Sequence, residues 1–170
     1  MSADNDQASI GRWLMLGMWV LILALTTFTI NRWLEHRANP NHQVVTSIDG
    51  GKRSIALQRG RGGHYLLTGL INGTQATFLI DTGATNISVP VGIARQAGLA
   101  QGAPITISTA NGYSTAYRTS IDSLMMGELE FRNARAHINP GLSDAVLLGM
   151  NVLQHYELVQ SGDTLIIREP

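Results

Sequence analysis

TFLIDTGATNISVP, Thr77 to Pro90, is the stretch on which the reading of this chain turns. Its first half is apolar and β-prone, and it ends on a carboxylate, Asp81, followed at once by Thr82 and Gly83. An unpaired carboxylate is costly to bury, so an apolar run ending in Asp requires hydroxyl or backbone donors nearby. Thr82 supplies a hydroxyl, while Gly83 lets the backbone approach closely and present its N–H. A plain turn after a strand uses the same residues, since Asp-x-Gly is common in turns. What separates the two readings is the apolar approach, the Ala84 that follows, and a second element near the C-terminus.

Working outward, His64 to Ile71 and Thr74 to Ile80 are rich in β-branched and aromatic residues, with Asn72-Gly73 between them as a strong hairpin signal. Downstream, Pro90 to Ala97 suits a short helix, with Pro in its first turn and Gly98 as its stop. Ile105 to Ala110 and Tyr113 to Ser120 form a second hairpin around Asn111-Gly112. A third joins Leu124 to Met126 with Leu129 to Ile138 across Gly127. Val146 to Tyr156 begins extended and ends as a short helix, and Thr164 to Arg168 is a last strand after the Ser161-Gly162-Asp163 turn. Many short strands with regular turns and little helix predict a small all-β barrel or sandwich-like domain over residues 63–170.

The N-terminal third differs. After a tail at residues 1–12, residues 13–31 carry no charge and are rich in Leu, Ile, Met and Trp, long enough to cross a bilayer as a helix. Trp13 and Trp33 stand about 30 Å apart on such a helix, which suits two interfacial anchors. No small-x-small cleavage site follows, so the expectation is an uncleaved anchor rather than a signal peptide. Arg12 precedes the span and Arg32 and Arg37 follow it, a charge count that by itself favours a cytoplasmic C-terminal side. Residues 32–62 read as a polar connector punctuated by Asn39-Pro40-Asn41, Asp49-Gly50-Gly51 and Arg59-Gly60-Arg61-Gly62-Gly63, with a short strand at Ser54 to Gln58. Lys52, Arg53, Arg59 and Arg61 in it read as solvated charges, with lipid headgroups or RNA as the rival assignment.

The 170 residues hold 12 acidic and 12 basic side chains and no cysteine. Formal neutrality gives no reason to expect a nucleic-acid partner, and disulfides and thiolate metal sites are excluded. His36, His42, His64, His137 and His155 form no i, i+4 pair and no His-Glu-x-x-His, so they read as surface or packing residues. No phosphate-binding glycine loop or Gly-x-Ser-x-Gly elbow is present. No metal or cofactor is expected.

The second element is AVLLGMNVLQHYEL, Ala145 to Leu158: an aliphatic run, a glycine, an Asn and a short amphipathic helix. Together with FLIDTGAT and the Asn-Gly hairpin between them, it resembles the retropepsin-like aspartic proteases, most closely the bacterial single-domain type with an N-terminal membrane anchor. The resemblance covers roughly Gly63 to Arg168. It implies a single-lobe closed β-barrel with a short C-terminal helix, preceded by one transmembrane helix. It also implies peptide hydrolysis by two carboxylates sharing one proton, one acting as base on water and the other donating to the carbonyl oxygen. Only one Asp-Thr-Gly is present, because Asp122-Ser123-Leu124 and Asp163-Thr164-Leu165 lack the glycine. The second carboxylate must then be Asp81 of another copy in a homodimer.

By the same resemblance Thr82 braces the two loops across the dimer axis, and Gly83 turns backbone N–H groups toward the carboxylates. Ala84, Leu147, Leu148 and Gly149 support the active-site loop from behind. Asn111 and Gly112, with Tyr113 beside them, form a flap over an extended peptide substrate held as an added strand, its side chains apolar near the cleaved bond. Two departures stand out. Ala84 lacks the hydroxyl that pepsin-like relatives place against the outer carboxylate oxygen, which implies activity at milder acidity than pepsin's. Thr85 and Met150 occupy the places of an Asp–Arg pair found in many viral relatives, so both ends are missing together and the dimer interface differs. The alternative to a membrane-anchored endopeptidase is a non-catalytic peptide-binding or scaffolding module at the membrane. The resemblance also implies a bacterial inner-membrane protein with its C-terminal domain in the periplasm, against the charge count.

Overall fold

Hydropathy divides the chain before any strand is formed. The computed structural model describes residues 3–109 and 112–170, and the side chains of these except at 3–11 and 33–38. It separates into two units, Met1–Arg37 and Ala38–Pro170. The first consists of one helix, α1 (Ala3–Ala38). Its stretch Arg12–Arg32 is long and apolar enough to cross a membrane, properties a signal sequence shares. Within it the Thr29 hydroxyl donates back to the carbonyls of Leu25 (2.6 Å) and Thr26 (3.0 Å), so its polar group is satisfied inside the helix.

The second unit contains β1 (Thr46–Asp49), β2 (Lys52–Gln58), β3 (Leu66–Ile71), β4 (Thr74–Ile80), β5 (Ile87–Pro90), α2 (Val91–Gln96) and β6 (Pro104–Thr109). These are followed by β7 (Gly112–Met126), β8 (Leu129–Asn139), β9 (Val146–Leu148), α3 (Met150–Leu153), β10 (Glu157–Ser161) and β11 (Thr164–Arg168). Asn72 and Gly73 turn β3 into β4 with positive φ values of 48° and 80°. Two consecutive left-handed residues match the twist of the strands they join. From there the sheet runs β3-β4-β9-β5-β8-β7-β6.

The sheet closes on itself because β3 also pairs with β7, through Leu70 opposite Met125 and Ile71 opposite Leu124. Gly69 permits this closure: a Cβ there would run into the Met125 carbonyl oxygen and the Phe78 ring. Phe78, Ile87, Val89, Val146, Leu148 and Leu153 are fully buried inside the ring. Burying one such side chain is worth about 1.5–3 kcal/mol. The first residues of β7 pair with β6 alone, up to Tyr117 where β8 joins, so the β6–β7 hairpin projects from the ring as a two-stranded arm. The expected single-lobe closed barrel with a short C-terminal helix, preceded by an apolar helix, is thus the architecture found.

One expectation is corrected. The stretch read as a polar connector, residues 32–62, holds the strand expected at Ser54 to Gln58 as part of β2 and a further strand, β1, and both join a second sheet ordered β1-β2-β11-β10. The physical reason lies in the alternation of SIALQ. Ile55 and Leu57 face inward and are fully buried opposite Ile167 and Leu165 of β11. Asn41, read as turn punctuation, is itself buried. Its Nδ2 donates to the carbonyls of Gln58 (2.8 Å) and Leu66 (2.6 Å), and its Oδ1 accepts from the Gln58 N–H (2.7 Å).

Candidate active site

Asp81 is carried to its place by β4, whose parallel neighbour β9 puts Leu148 opposite Ile80. Its backbone N–H continues that ladder by donating to the Leu148 carbonyl (3.1 Å). The chain then turns tightly, with the Ala84 N–H donating to the Asp81 carbonyl (3.2 Å). The Gly83 N–H donates to Asp81 Oδ1 (2.9 Å), so the half-buried carboxylate receives the backbone donor that the apolar approach demanded. Thr82 is exposed, and its hydroxyl makes no hydrogen bond among the described residues.

Behind this loop stands Gly149, where a Cβ would lie 2.7 Å from the carbonyl carbon and oxygen of Asn86 and 2.8 Å from the Ala84 carbonyl oxygen. Only glycine fits against those backbone atoms. The Met150 N–H donates to the Ala84 carbonyl (2.8 Å) and the Asn151 N–H to the Thr85 carbonyl (3.0 Å), so Leu148 to Asn151 fastens the acidic loop along its length. Leu148 is fully buried, while Leu147 reaches the cleft.

The loop forms one side of a cleft of about 570 Å³. Ile107, Ser108 and Thr109 of β6 line it together with Asp81, Gly83 and Ala84, which places the projecting arm over the acidic loop. The Thr109 hydroxyl donates to the Gly112 carbonyl (2.8 Å) and tightens the tip, where Gly112 takes φ 103°. Asn111, the expected flap tip, lies outside the described residues. Tyr113 does not line the cleft and is 86% exposed.

Sequence reasoning missed the cleft's other wall. Ser88 on β5 stands opposite His137 on β8, and Asn139 follows two residues along the same face. All three line the cleft, with only 5%, 9% and 5% of their surfaces exposed. The Ser88 hydroxyl is hydrogen-bonded to His137 Nε2, and burial pushes the imidazole below its ordinary 6.5. Asn139 Oδ1 accepts from the Gly141 N–H (2.9 Å). The signal in the sequence was the alternation of polar with aliphatic residues in NISV and AHIN. Among the described residues no cluster of three or more His, Cys, Asp or Glu is placed to hold a metal ion.

Comparison with known proteins bears on what such a cleft does. A family model described as "gag-polyprotein putative aspartyl protease" matches residues 67–155, just over half of the chain. The fold superposes on the crystal structure of a retropepsin-like aspartic protease from Rickettsia conorii with a TM-score of 0.60 and 28% identity, covering 75% of this chain and 96% of that one. Two further proteins are similar in sequence over most of their length. A Sinorhizobium sp protein described as "Uncharacterized protein in cobV 5'region" is 29% identical over 168 residues, 91% of this chain and 72% of its own. The "Uncharacterized protein RP867" of Rickettsia prowazekii (strain Madrid E) is 28% identical over 162 residues, 89% of this chain and 69% of its own.

Proposed function

Given that this chain belongs to the gag-polyprotein aspartyl protease family, we propose that it is a membrane-anchored aspartic endopeptidase, active as a homodimer that brings two Asp81 carboxylates together. The observation that carries this reading is the cleft itself: Asp81 is its only acidic lining residue among the described residues, held by the Gly83 N–H beneath the projecting arm. Aspartic proteolysis needs a second carboxylate, and a second copy is its simplest source. In the pair, the ionised Asp81 takes a proton from a water molecule as the water oxygen attacks the peptide carbonyl carbon. The protonated Asp81 gives its proton to the carbonyl oxygen. The tetrahedral intermediate collapses when its C–N bond breaks and the leaving nitrogen takes up a proton, releasing a carboxylic acid and an amine.

In this arrangement Thr82, exposed in the single chain, bonds across the dimer axis, and Gly112 and Tyr113 close the arm over substrate. Ala84, Leu147, Leu148 and Gly149 keep the loop in register. Helix α1 holds both copies in one bilayer, which raises their effective concentration. The protease unit lies on the periplasmic side of a bacterial inner membrane. A membrane-impermeant maleimide should therefore label a Ser47→Cys variant in cells with a permeabilised outer membrane, and labelling only after lysis would overturn that placement.

The test of mechanism uses the full chain in detergent, incubated with an unfolded protein beside its Asp81→Asn variant. Products should form only with the parent. Mixing equal amounts of the two should leave about one quarter of the activity of the same total of parent, because both copies must carry the acid. Activity that falls only to about half would mean that each chain works alone. The alternative, a peptide-binding module that does not cleave, gains if Asp81-dependent products never form while peptides still bind.

A further inference from the structure

The wall opposite Asp81 is built from buried polar side chains where a pocket for aliphatic residues would present Val or Leu. A polar atom that opens onto a cleft without a partner in the protein is met by water or by a ligand, and a ligand that cannot pair with it strands it, so each such atom bears on what the cleft accepts. Asn139 is 95% buried by its 5% exposure, and while its Oδ1 is used by Gly141, its Nδ2 has no hydrogen-bond partner among the described residues. His137 uses Nε2 with Ser88, and its Nδ1 likewise has no partner among them. Both residues border the cleft that Asp81 occupies. Their shared register makes one continuous polar strip, with Leu147 opposite Ser88 as its apolar margin.

Resting on the reading of this cleft as a peptide site, we propose that Ser88, His137 and Asn139 form a specificity pocket for a neutral substrate side chain that both accepts and donates hydrogen bonds, the amide of Asn or Gln being the fullest match. The strip adds one polar position beside the apolar side chains expected near the cleaved bond. An amide oxygen satisfies Asn139 Nδ2, and an amide N–H meets the imidazole or the serine oxygen. A carboxylate is disfavoured because burial holds the imidazole below its ordinary range and no Lys or Arg lines the cleft among the described residues, leaving no cation to balance the anion. An ammonium or guanidinium group offers no acceptor for Asn139. A purely aliphatic side chain leaves the strip dry and unpaired.

The experiment separates this pocket from catalysis by measuring binding. A randomised hexapeptide library is passed over the immobilised full-length Asp81→Asn chain in detergent, and retained peptides are sequenced. One position should be enriched on the order of tenfold in Asn and Gln, with Ser and Thr next. The Asp81→Asn chain that also carries Ser88→Ala and His137→Leu should lose that enrichment and favour aliphatic residues at the same position. Replacing both partners together avoids leaving either one unpaired. Retention of aliphatic or charged side chains by the Asp81→Asn chain, equal retention of all, or no retention would each overturn the pocket, whatever becomes of the variant. If the parent chain gives no Asp81-dependent cleavage while amide enrichment persists, the protease reading fails and the pocket stands.

Discussion

Replacing Asn41 by Ala should cost the Ala38–Pro170 unit about 3 kcal/mol, although this residue lies forty positions before Asp81 in a stretch that reads as connector. Its side chain makes three hydrogen bonds, at 2.8, 2.6 and 2.7 Å, joining the end of β2 to the start of β3. Each is worth about 1 kcal/mol net, and the exposed ends of the strands let water recover only part of the loss. A unit of this size should lose about 3–4 °C in Tm per kcal/mol, so the expected shift is about 10 °C. Thermal melts of a fragment starting at Ala38, with and without Asn41→Ala, measure it. Asn41→Asp is the informative companion: it keeps an acceptor for the Gln58 N–H but turns an oxygen toward two carbonyls, and should melt lower still at neutral pH. A fragment starting at Val44 should behave like Asn41→Ala. Shifts below about 3 °C for both substitutions would show that solvent replaces the asparagine and that the latch contributes little.

Two further predictions concern the site. Gly149→Ala places a methyl group 2.7–2.8 Å from backbone atoms of Asn86 and Ala84, which cannot rotate away, so the acidic loop must shift. The expected cost is about 1–3 kcal/mol in melting experiments, with peptide cleavage reduced on the order of a hundredfold; unchanged cleavage would mean the loop tolerates displacement. The second prediction is a pH dependence. His137 resists protonation when folded but titrates near 6.5 when unfolded, so below that value the unfolded chain binds more protons. Its contribution to stability is complete above pH 6.5 and declines as pH falls from there toward the folded pKa. The fall in Tm between pH 7.5 and pH 5 should accordingly be smaller in the Ser88→Ala, His137→Leu variant than in the parent, and equal falls would refute the assignment.

How far the sequence could be read depended on whether local chemistry determined the outcome. FLIDTG gave Asp81 its loop because an apolar strand, a carboxylate and a glycine leave few arrangements that satisfy the charge, and Gly83 supplies the donor as expected. Asn72-Gly73 gave its hairpin for an equally local reason, two residues that accept positive φ. The β1–β2 pair was harder to see. Ser54 to Gln58 reads as a short strand, but the burial of Ile55 and Leu57 depends on β11, more than a hundred residues later. No local pattern announces a partner at that distance.

The polar wall shows a deeper limit. Alternation in a strand tells which residues share a face, but not whether that face meets solvent, core or a cleft. Ser88, His137 and Asn139 alternate with Ile87, Val89 and Ile138, the pattern of an ordinary half-exposed strand. Their burial arises because Gly69 lets β3 reach β7 and close the ring, while β7 runs on past β8 to carry the β6 arm over the acidic loop. Closure and overhang together convert an outward face into the lining of an enclosed space. A polar residue that would be unremarkable on an open sheet then lines a cleft, with part of its hydrogen-bonding capacity turned toward whatever fills it. The same topology that builds the cleft thus selects which ordinary-looking strand residues line it, and their chemistry, rather than the Asp-Thr-Gly itself, distinguishes one such cleft from another.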